Sequence, residues 1–597
     1  SSAAAIACQE FSVKPNELEK EKPYIDHSIC FTRQAYDLDT IDEVFYEGTA
    51  KLNSSVLDSP TIKNIRILDY RPLSVTLNQQ QALRLYYGME FADVDRYYID
   101  GEMTEVLVST RELYQDKLPS KTWINKKLIY THGNGIIINP VSKVTKEGLP
   151  ELWVKDIPAQ SNKQELNITQ SQIYYGEVTD NYVITNSRQK EFDYPSGDEN
   201  IYNTYDGSGG IYLSTALRKF IIGWRLDPVK IWLSDYITPN SRFHLHRNID
   251  ERVSKIAPYL YYDKDPHIFI GEEKLFWMMS GMVHTKNYPY SESFGNGNYI
   301  KDSVKIIIDA KNGTIEFFVI QNDPIIRTYQ KIYPGLFKPL DSMPEEHQKH
   351  LKYPEDLFTL QTEKLDIYHM TSTEVFYNKE DKWQIGQEVH GLDEEQKVEA
   401  YNIILDLNND AEFMLTLPLT PYDKQNLVAW FAVYQDPAKY GEKVLYKLSK
   451  EHLTYGPMQI ESRISQDEEI SAQMTLWNAG GSSVIRGNLL IIPISGSLLC
   501  VEPIYIVSST KGSMPELKKI VAVYYDPVSD ESKLAWDDSL EGAILKVIGE
   551  PDKRIEVVKK TIGGQEEIMM LIIYDRNDQE ITRISIMENQ SISLVST

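Results

Sequence analysis

The order of elements can be read from the spacing of apolar residues. Ile29, Phe31, Ala35 and Leu38 recur at helical spacing and predict a short amphipathic helix. Residues 78–87 (NQQQALRLYY) predict a second helix, with Gly88 as its stop. Residues 97–108 turn strand-like, and 109–113 read as a polar helix or loop. The polar stretch 160–170 predicts a linker, followed by two strands at 172–178 and 181–187 around a Thr179-Asp180 turn. Residues 213–224 (LSTALRKFIIGW) predict a buried helix and 249–257 another. Strands follow at 267–271, 274–281, 304–310 and 314–320, the last two joined by Asn312-Gly313, a strong hairpin signal.

Residues 341–377 read as helical, with loops around Pro344 and Pro354. Beyond them strands are predicted at 401–407, 411–419, 443–449, 473–478, 488–494, 498–507 and 519–525, with helices at 424–433 and 540–548. A final hairpin is predicted at 569–575 and 580–586. The apolar run 488–507 approaches membrane-spanning length. Pro493, Glu502, Pro503 and the Ser495-Gly496-Ser497 turn make it two short strands instead. The expected class is α+β, with several mixed, mainly antiparallel sheets and interspersed helices. The expected segments are a leader or membrane-helix remnant at 1–10, an α+β unit at 11–158 and a strand-rich unit at 159–340. A helical segment at 341–400, a β-rich unit at 401–526 and a C-terminal extension at 527–597 complete the chain.

Charge narrows the partners. In the 597-residue chain 62 Lys and Arg face 87 Asp and Glu, a net charge of −25. Such a surface repels phosphate backbones, which excludes nucleic acid as the expected partner. Three cysteines, Cys8, Cys30 and Cys500, are too few for a disulfide framework, and Cys500 reads as a small buried hydrophobe.

Candidate chemistry is sparse. There is no H-E-x-x-H, no Walker loop and no G-x-S-x-G elbow, and the glycines of Asp206-Gly207-Ser208-Gly209-Gly210 predict a turn. His244 and His246 form an H-x-H pair with flanking Arg242 and Arg247 that would repel a metal cation, and His347 and His350 read as solvated. Acidic and aromatic residues interleave at 191–206 and 259–265. Asp193, Asp198, Glu199 and Asp206 are the candidate ligands for Ca²⁺, the one cofactor expected. Tyr202, Tyr205, Asp263 and Asp265 are the candidate ligand-lining residues, with packing of the tyrosines as the alternative.

Longer motifs carry a kinship. They include Tyr130-Thr131-His132-Gly133, EGLPELWVKDIP, EFDYPSGDEN and the run from NYIKDSVKIIIDAKNG to YPGLFKP. KYPEDLF, YGPMQIESRISQDEEISAQMTLWN and SSVIRGNLLIIPISGSLLCVEP extend it. Together, from about residue 11 to 525, they resemble the uncharacterised protein family 0182 of large prokaryotic membrane proteins. Asn134 stands where the family motif has an aromatic residue, and the pattern stops after about residue 526. The resemblance implies N-terminal membrane helices followed by a large domain outside the cytoplasm, to which this chain corresponds. Membrane association through that N-terminal region, and a homo-oligomer or envelope protein as partner, are the corresponding expectations. No activity comes with the resemblance. The expected function is binding or assembly at the cell envelope, and the rival is a hydrolase of envelope glycans or peptides.

Overall fold

Two long strands, Lys274–Thr285 and Tyr299–Asp309, are buried along nearly their whole length and anchor the central sheet. The computed structural model describes residues 6, 8–197, 199–391, 394–407, 410–449, 453–526 and 531–549, and the strands 554–562, 565–574, 580–586 and 592–595 by backbone alone. The central sheet orders Tyr261–Tyr262, Lys274–Thr285, Tyr299–Asp309, Ile315–Val319 and Phe337–Pro339, with His267–Gly271 also on Lys274–Thr285. Pairing is antiparallel except at Phe337–Pro339. The expected Asn312-Gly313 turn joins Tyr299–Asp309 to Ile315–Val319, with Gly313 at φ 65°.

A second sheet runs Asp42–Tyr46, Lys443–Leu448, Ala429–Tyr434, Asp410–Pro421 and Trp383–Ile385, with Tyr401–Leu407 on Asp410–Pro421. A third, Asp93–Ile99, Glu102–Thr110, Ile136–Pro140, Val154–Lys155 and Gln160–Ser161, lies in the first part of the chain. A fourth is built on Ser497–Ser508 and Glu516–Asp526 and packs against helix Leu540–Ile548. One apolar core joins these layers, containing Ala35, Ile138, Trp277, Phe358, Trp430, Val501 and Ile544. The α+β class holds. Among the described residues no helix is long and apolar enough to cross a membrane.

Several local expectations are overturned. The first helix is Glu17–Ala35, far longer than the apolar spacing indicates, because its remaining faces are exposed and polar. The next is Tyr70–Gln81, started by Asp69, whose carboxylate accepts the Arg71 N–H; Tyr87–Gly88 is a short strand. Residues 109–113 are buried and extended. The polar stretch 160–170 is no linker: it holds an edge strand and a 3₁₀ turn that places Leu166 in the main core. Ile173 and Val183 lie on strands that pair with other segments, not with each other.

Residues 424–433 give strand Ala429–Tyr434, central and buried on both faces, where a short apolar run has no diagnostic period. Residues 473–478 belong to helix Glu468–Ala479, capped by Asp467, which accepts the Glu469 and Ile470 N–H groups. Residues 213–224 do contain a helix, Ala216–Leu226, but it buries only Gly223. The turn between the last predicted hairpin strands, at 575–579, lies outside the described residues.

Candidate functional site

A cleft of about 500 Å³ opens where the third-sheet strand Asp93–Ile99, the 263–266 segment and the start of helix Glu355–Tyr368 meet. Its walls carry six carboxylates, among them Asp93, Asp265 and Glu355, against three cations, Arg66, Lys352 and Lys397. Tyr70 and Phe91 supply an aromatic margin. A narrow extension of about 10 Å³ continues inward past Lys352 to Asp263 and His267. A larger groove of about 840 Å³ runs beside strand Asp42–Tyr46, but it is not lined by such a set of buried carboxyls.

Lys352 is the pivot of the cleft, and its backbone is fixed from four directions. His350 O is bonded to His267 Nε2 at 2.9 Å, and Leu351 O accepts from Arg96 Nη1 at 2.8 Å. Lys352 O accepts from Lys305 Nζ at 2.7 Å and from the Tyr440 hydroxyl at 3.0 Å. The Tyr353 N–H donates to Gln435 at 2.8 Å. A segment without regular structure is thereby held as firmly as a strand, since its buried carbonyls are satisfied by side chains. Pro354 then ends the segment and opens the helix whose first residue is Glu355.

The electrostatics follow from crowding. Burial, then the neighbouring Asp265, pushes the Asp93 carboxyl well above the usual range, and Lys352 only partly offsets this. Burial and Asp265 raise Glu355 to about 7. Asp263 is raised well above the usual range by burial and Asp265, and its Oδ1 has no hydrogen-bond partner. Burial and Asp93 likewise raise Glu177. For Lys352 burial opposes the charge, but Asp265, Glu355 and Asp93 outweigh it and hold the ammonium above its ordinary range. The cleft therefore presents carboxyls that hold their protons more tightly than usual, Glu355 with a value of about 7 among them, beside an ammonium held above its ordinary range. Such a set can donate to and accept from hydroxyls, bind an amine, or move a proton.

The sequence candidates divide between this cleft and other places. Asp263 and Asp265 are in it, Asp263 buried and Asp265 exposed at its mouth. Asp193 is buried elsewhere, accepting from Asn134 Nδ2 at 2.5 Å and lying 3.3 Å from His132 Nε2. Asn134 thus has a specific use, its carbonyl accepting from Ser171 Oγ at 2.7 Å. Glu199 is exposed on the paired strand. Asp206 is paired with Lys311 at 2.5 Å, a cation brought in from the Asn312-Gly313 hairpin. Asp198 lies outside the described residues. Among the described residues no group of three or more His, Cys, Asp or Glu is arranged to hold a metal ion.

Tyr205 is buried, its hydroxyl accepting the Gly209 N–H at 2.8 Å and donating to Asn312 at 3.1 Å, so it organises the glycine turn. Tyr202 is exposed beside Lys190. His244 is buried between Tyr175 and Thr185, while His246 meets Glu251, so the H-x-H pair is separated. His347 and His350 are buried, not solvated; His350 Nδ1 lies 2.7 Å from Asp95 Oδ2. Cys500 is buried, and its thiol is pushed up to about 12. Asp93, Lys352 and Glu355 escaped the residue-by-residue reading, although KYPEDLF contains Lys352 and Glu355.

The profile of the family described as "Uncharacterised protein family (UPF0182)" matches residues 1–477. A UPF0182 protein of Pelotomaculum thermopropionicum is 44% identical over 552 residues, 91% of this chain and 59% of that protein. Another, of Methanospirillum hungatei, is 43% identical over 574 residues, 94% of this chain and 63% of its own length. A third, of Sulfurovum sp., is 43% identical over 571 residues, covering 93% and 62%. The chain thus spans less than two thirds of the length of these relatives. No solved structure matches it. By the extent of the family profile and the identity to these relatives, the chain belongs to the uncharacterised protein family UPF0182.

Proposed function

We propose that this chain is the extracytoplasmic binding module of a membrane-associated envelope protein, and that its cleft takes an amine-bearing, polyhydroxylated ligand such as an amino-sugar fragment of the envelope. The location rests on the family resemblance. The ligand class rests on one observation: several carboxyls crowd around Lys352, and burial and mutual repulsion keep Asp93 and Glu355 protonated longer than usual. An incoming ammonium relieves that repulsion, hydroxyls meet carboxyl donors and acceptors, and Tyr70 and Phe91 offer flat faces to a sugar ring.

Calorimetry with glucosamine oligomers tests this. Binding near pH 7 is expected to release protons as Glu355 ionises, so the heat varies with buffer ionisation enthalpy. Asp265→Asn is expected to weaken binding about tenfold, on the scale of one charge-assisted hydrogen bond. No binding by any amino sugar would overturn the ligand class. The second reading is hydrolysis, favoured by the Glu355 carboxyl at about 7, a fitting value for a general acid. Turnover of cell-wall fragments that disappears in Glu355→Gln would replace binding with catalysis.

A further inference from the structure

Helix Ala216–Leu226 shows its apolar stripe to solvent. Leu217, Phe220, Ile221 and Trp224 are spaced i, i+3, i+4 and i+7, the pattern that ordinarily faces a core. Here they are 67, 50, 59 and 71% exposed. The next helix, Pro228–Leu233, extends the face with Val229 and Leu233, 64 and 77% exposed. What holds the pair together lies on its inner side and at Phe220, at the edge of the stripe. Ile222, Ile231 and Trp232 pack into a small satellite core with Phe243 and Ile184. Trp232 stacks on Phe220 at 4.8 Å, and its Nε1 donates to Phe220 O at 3.1 Å. Gly223 permits this approach, since a Cβ there would lie 2.3 Å from Trp232 Nε1. The outward stripe is thus a fixed feature of a folded helix pair.

Charge decides what covers it. In a chain of net charge −25, residues 216–233 carry Arg218, Lys219, Arg225 and Lys230 against the single carboxylate of Asp227. Asp227 pairs with Lys230 at 3.4 Å. Among the described residues Arg218 and Arg225 are exposed and have no carboxylate partner. At 100° per residue, Arg218 and Arg225 fall together at one edge of the apolar stripe. Apolar and aromatic residues on one face with cations at its border are the make-up of an interfacial helix. The 11-residue helix is about 16 Å long, half of the roughly 30 Å hydrocarbon core, so it can only lie in the plane of the surface.

We propose that this helix pair is a docking surface for an anionic phospholipid bilayer, with Leu217, Ile221 and Trp224 immersed at the headgroup boundary and Arg218 and Arg225 on lipid phosphates. The contact is independent of the cleft and of any membrane-spanning segment elsewhere.

Flotation of the 597-residue chain with phosphatidylcholine vesicles, with and without about 30% phosphatidylglycerol, tests it. The chain is expected to float with the anionic vesicles and much less with the neutral ones. Arg218→Glu with Arg225→Glu is expected to weaken binding by more than about twentyfold, since each cation near such a surface contributes about fivefold. Leu217→Gln with Ile221→Gln and Trp224→Gln is expected to abolish it; these side chains are exposed, and an unchanged melting curve verifies the fold. In the unaltered chain, brominated lipid is expected to quench tryptophan emission, less so in Trp224→Phe. Absence of flotation, or flotation indifferent to both sets of substitutions, overturns the proposal. An oligomer that persists without lipid and is dissociated by the same substitutions would assign the face to a second copy of the chain.

Discussion

The Lys352 ammonium lies 3.8 Å from the Asp265 carboxylate, one cation reaching from the buried floor of the cleft to a carboxylate at its mouth. The same ammonium moderates Asp93 and Glu355, so its removal leaves three carboxyls with only the weaker influence of Arg66 on Glu355. Lys352→Met is expected to destabilise the chain by about 3 kcal/mol, the low end for a broken buried pair because Asp265 is half exposed. The loss should be smaller at pH 5, where Glu355, raised to about 7, is protonated, than at pH 8. Urea unfolding at the two values measures this; equal losses would show that the carboxyls do not share Lys352.

A second expectation concerns Glu105. It is fully buried, neither carboxyl oxygen has a close hydrogen-bond partner, and burial raises its pKa to about 8, with Arg66 and the backbone of Ile404 weaker opposing influences. A carboxyl whose folded pKa exceeds its unfolded value of 4.5 contributes stability at low pH that is lost as pH rises through about 8. Glu112 and Glu388, both raised to about 7 chiefly by burial, act in the same direction. Below about 6.5 the buried His244 and His267, depressed by burial and nearby cations, pull the other way because protonation favours the unfolded chain. The clean window is therefore pH 6.5–8, where stability should fall with rising pH. Glu105→Gln should flatten that slope by up to about 1.4 kcal/mol per pH unit, read from unfolding midpoints.

Arg486, at the end of strand Ser482–Arg486, which pairs with Ser497–Ser508, is expected to be the most sensitive single position of the fourth sheet. Its Nε donates to Glu502 Oε1 at 2.6 Å and its Nη2 to Glu502 Oε2 at 2.8 Å, and it also bonds Glu461, all buried. Arg486→Met strands two buried carboxyls and should cost about 3–5 kcal/mol. Glu461→Gln should cost much less, since burial and Glu502 already push that carboxyl well above the usual range. Guanidinium unfolding of the two variants gives the ordering, and a costlier Glu461→Gln would contradict it.

Calcium offers a direct reading of the 191–206 hairpin. Asp193 is occupied by Asn134 and His132, and Asp206 by Lys311. Melting curves with millimolar calcium and with chelator are expected to coincide. A higher melting temperature in calcium that disappears in Asp206→Ala would establish a cation site there.

Local signals were legible where chemistry acts over a few residues. Asn312-Gly313, the Ser495-Gly496-Ser497 turn and helix Leu540–Ile548 fall where turn residues and caps place them. The helix at 424–433 and the burial of the helix at 213–224 failed for a different reason: composition supplies an apolar run or stripe, but only tertiary contacts decide whether it is a central strand, an inward face or an outward one. The cleft was half legible. Asp263 and Asp265 stand out among tyrosines, whereas Asp93 comes from a segment far removed in sequence from the neighbours Lys352 and Glu355, and nothing in their immediate sequence announces the meeting.

Strand Asp42–Tyr46 pairs in parallel with strand Lys443–Leu448, Asp42 opposite Val444. During synthesis the earlier strand emerges long before its neighbour exists. At roughly 5–20 residues per second the interval is on the order of 20–80 s. For that time Val44 and Phe45 have only provisional contacts, and an unpaired strand edge is open to other nascent chains. The second sheet is therefore a late event in the birth of the molecule, and a cell making this protein has to keep strand Asp42–Tyr46 from pairing wrongly until residue 448 has been translated.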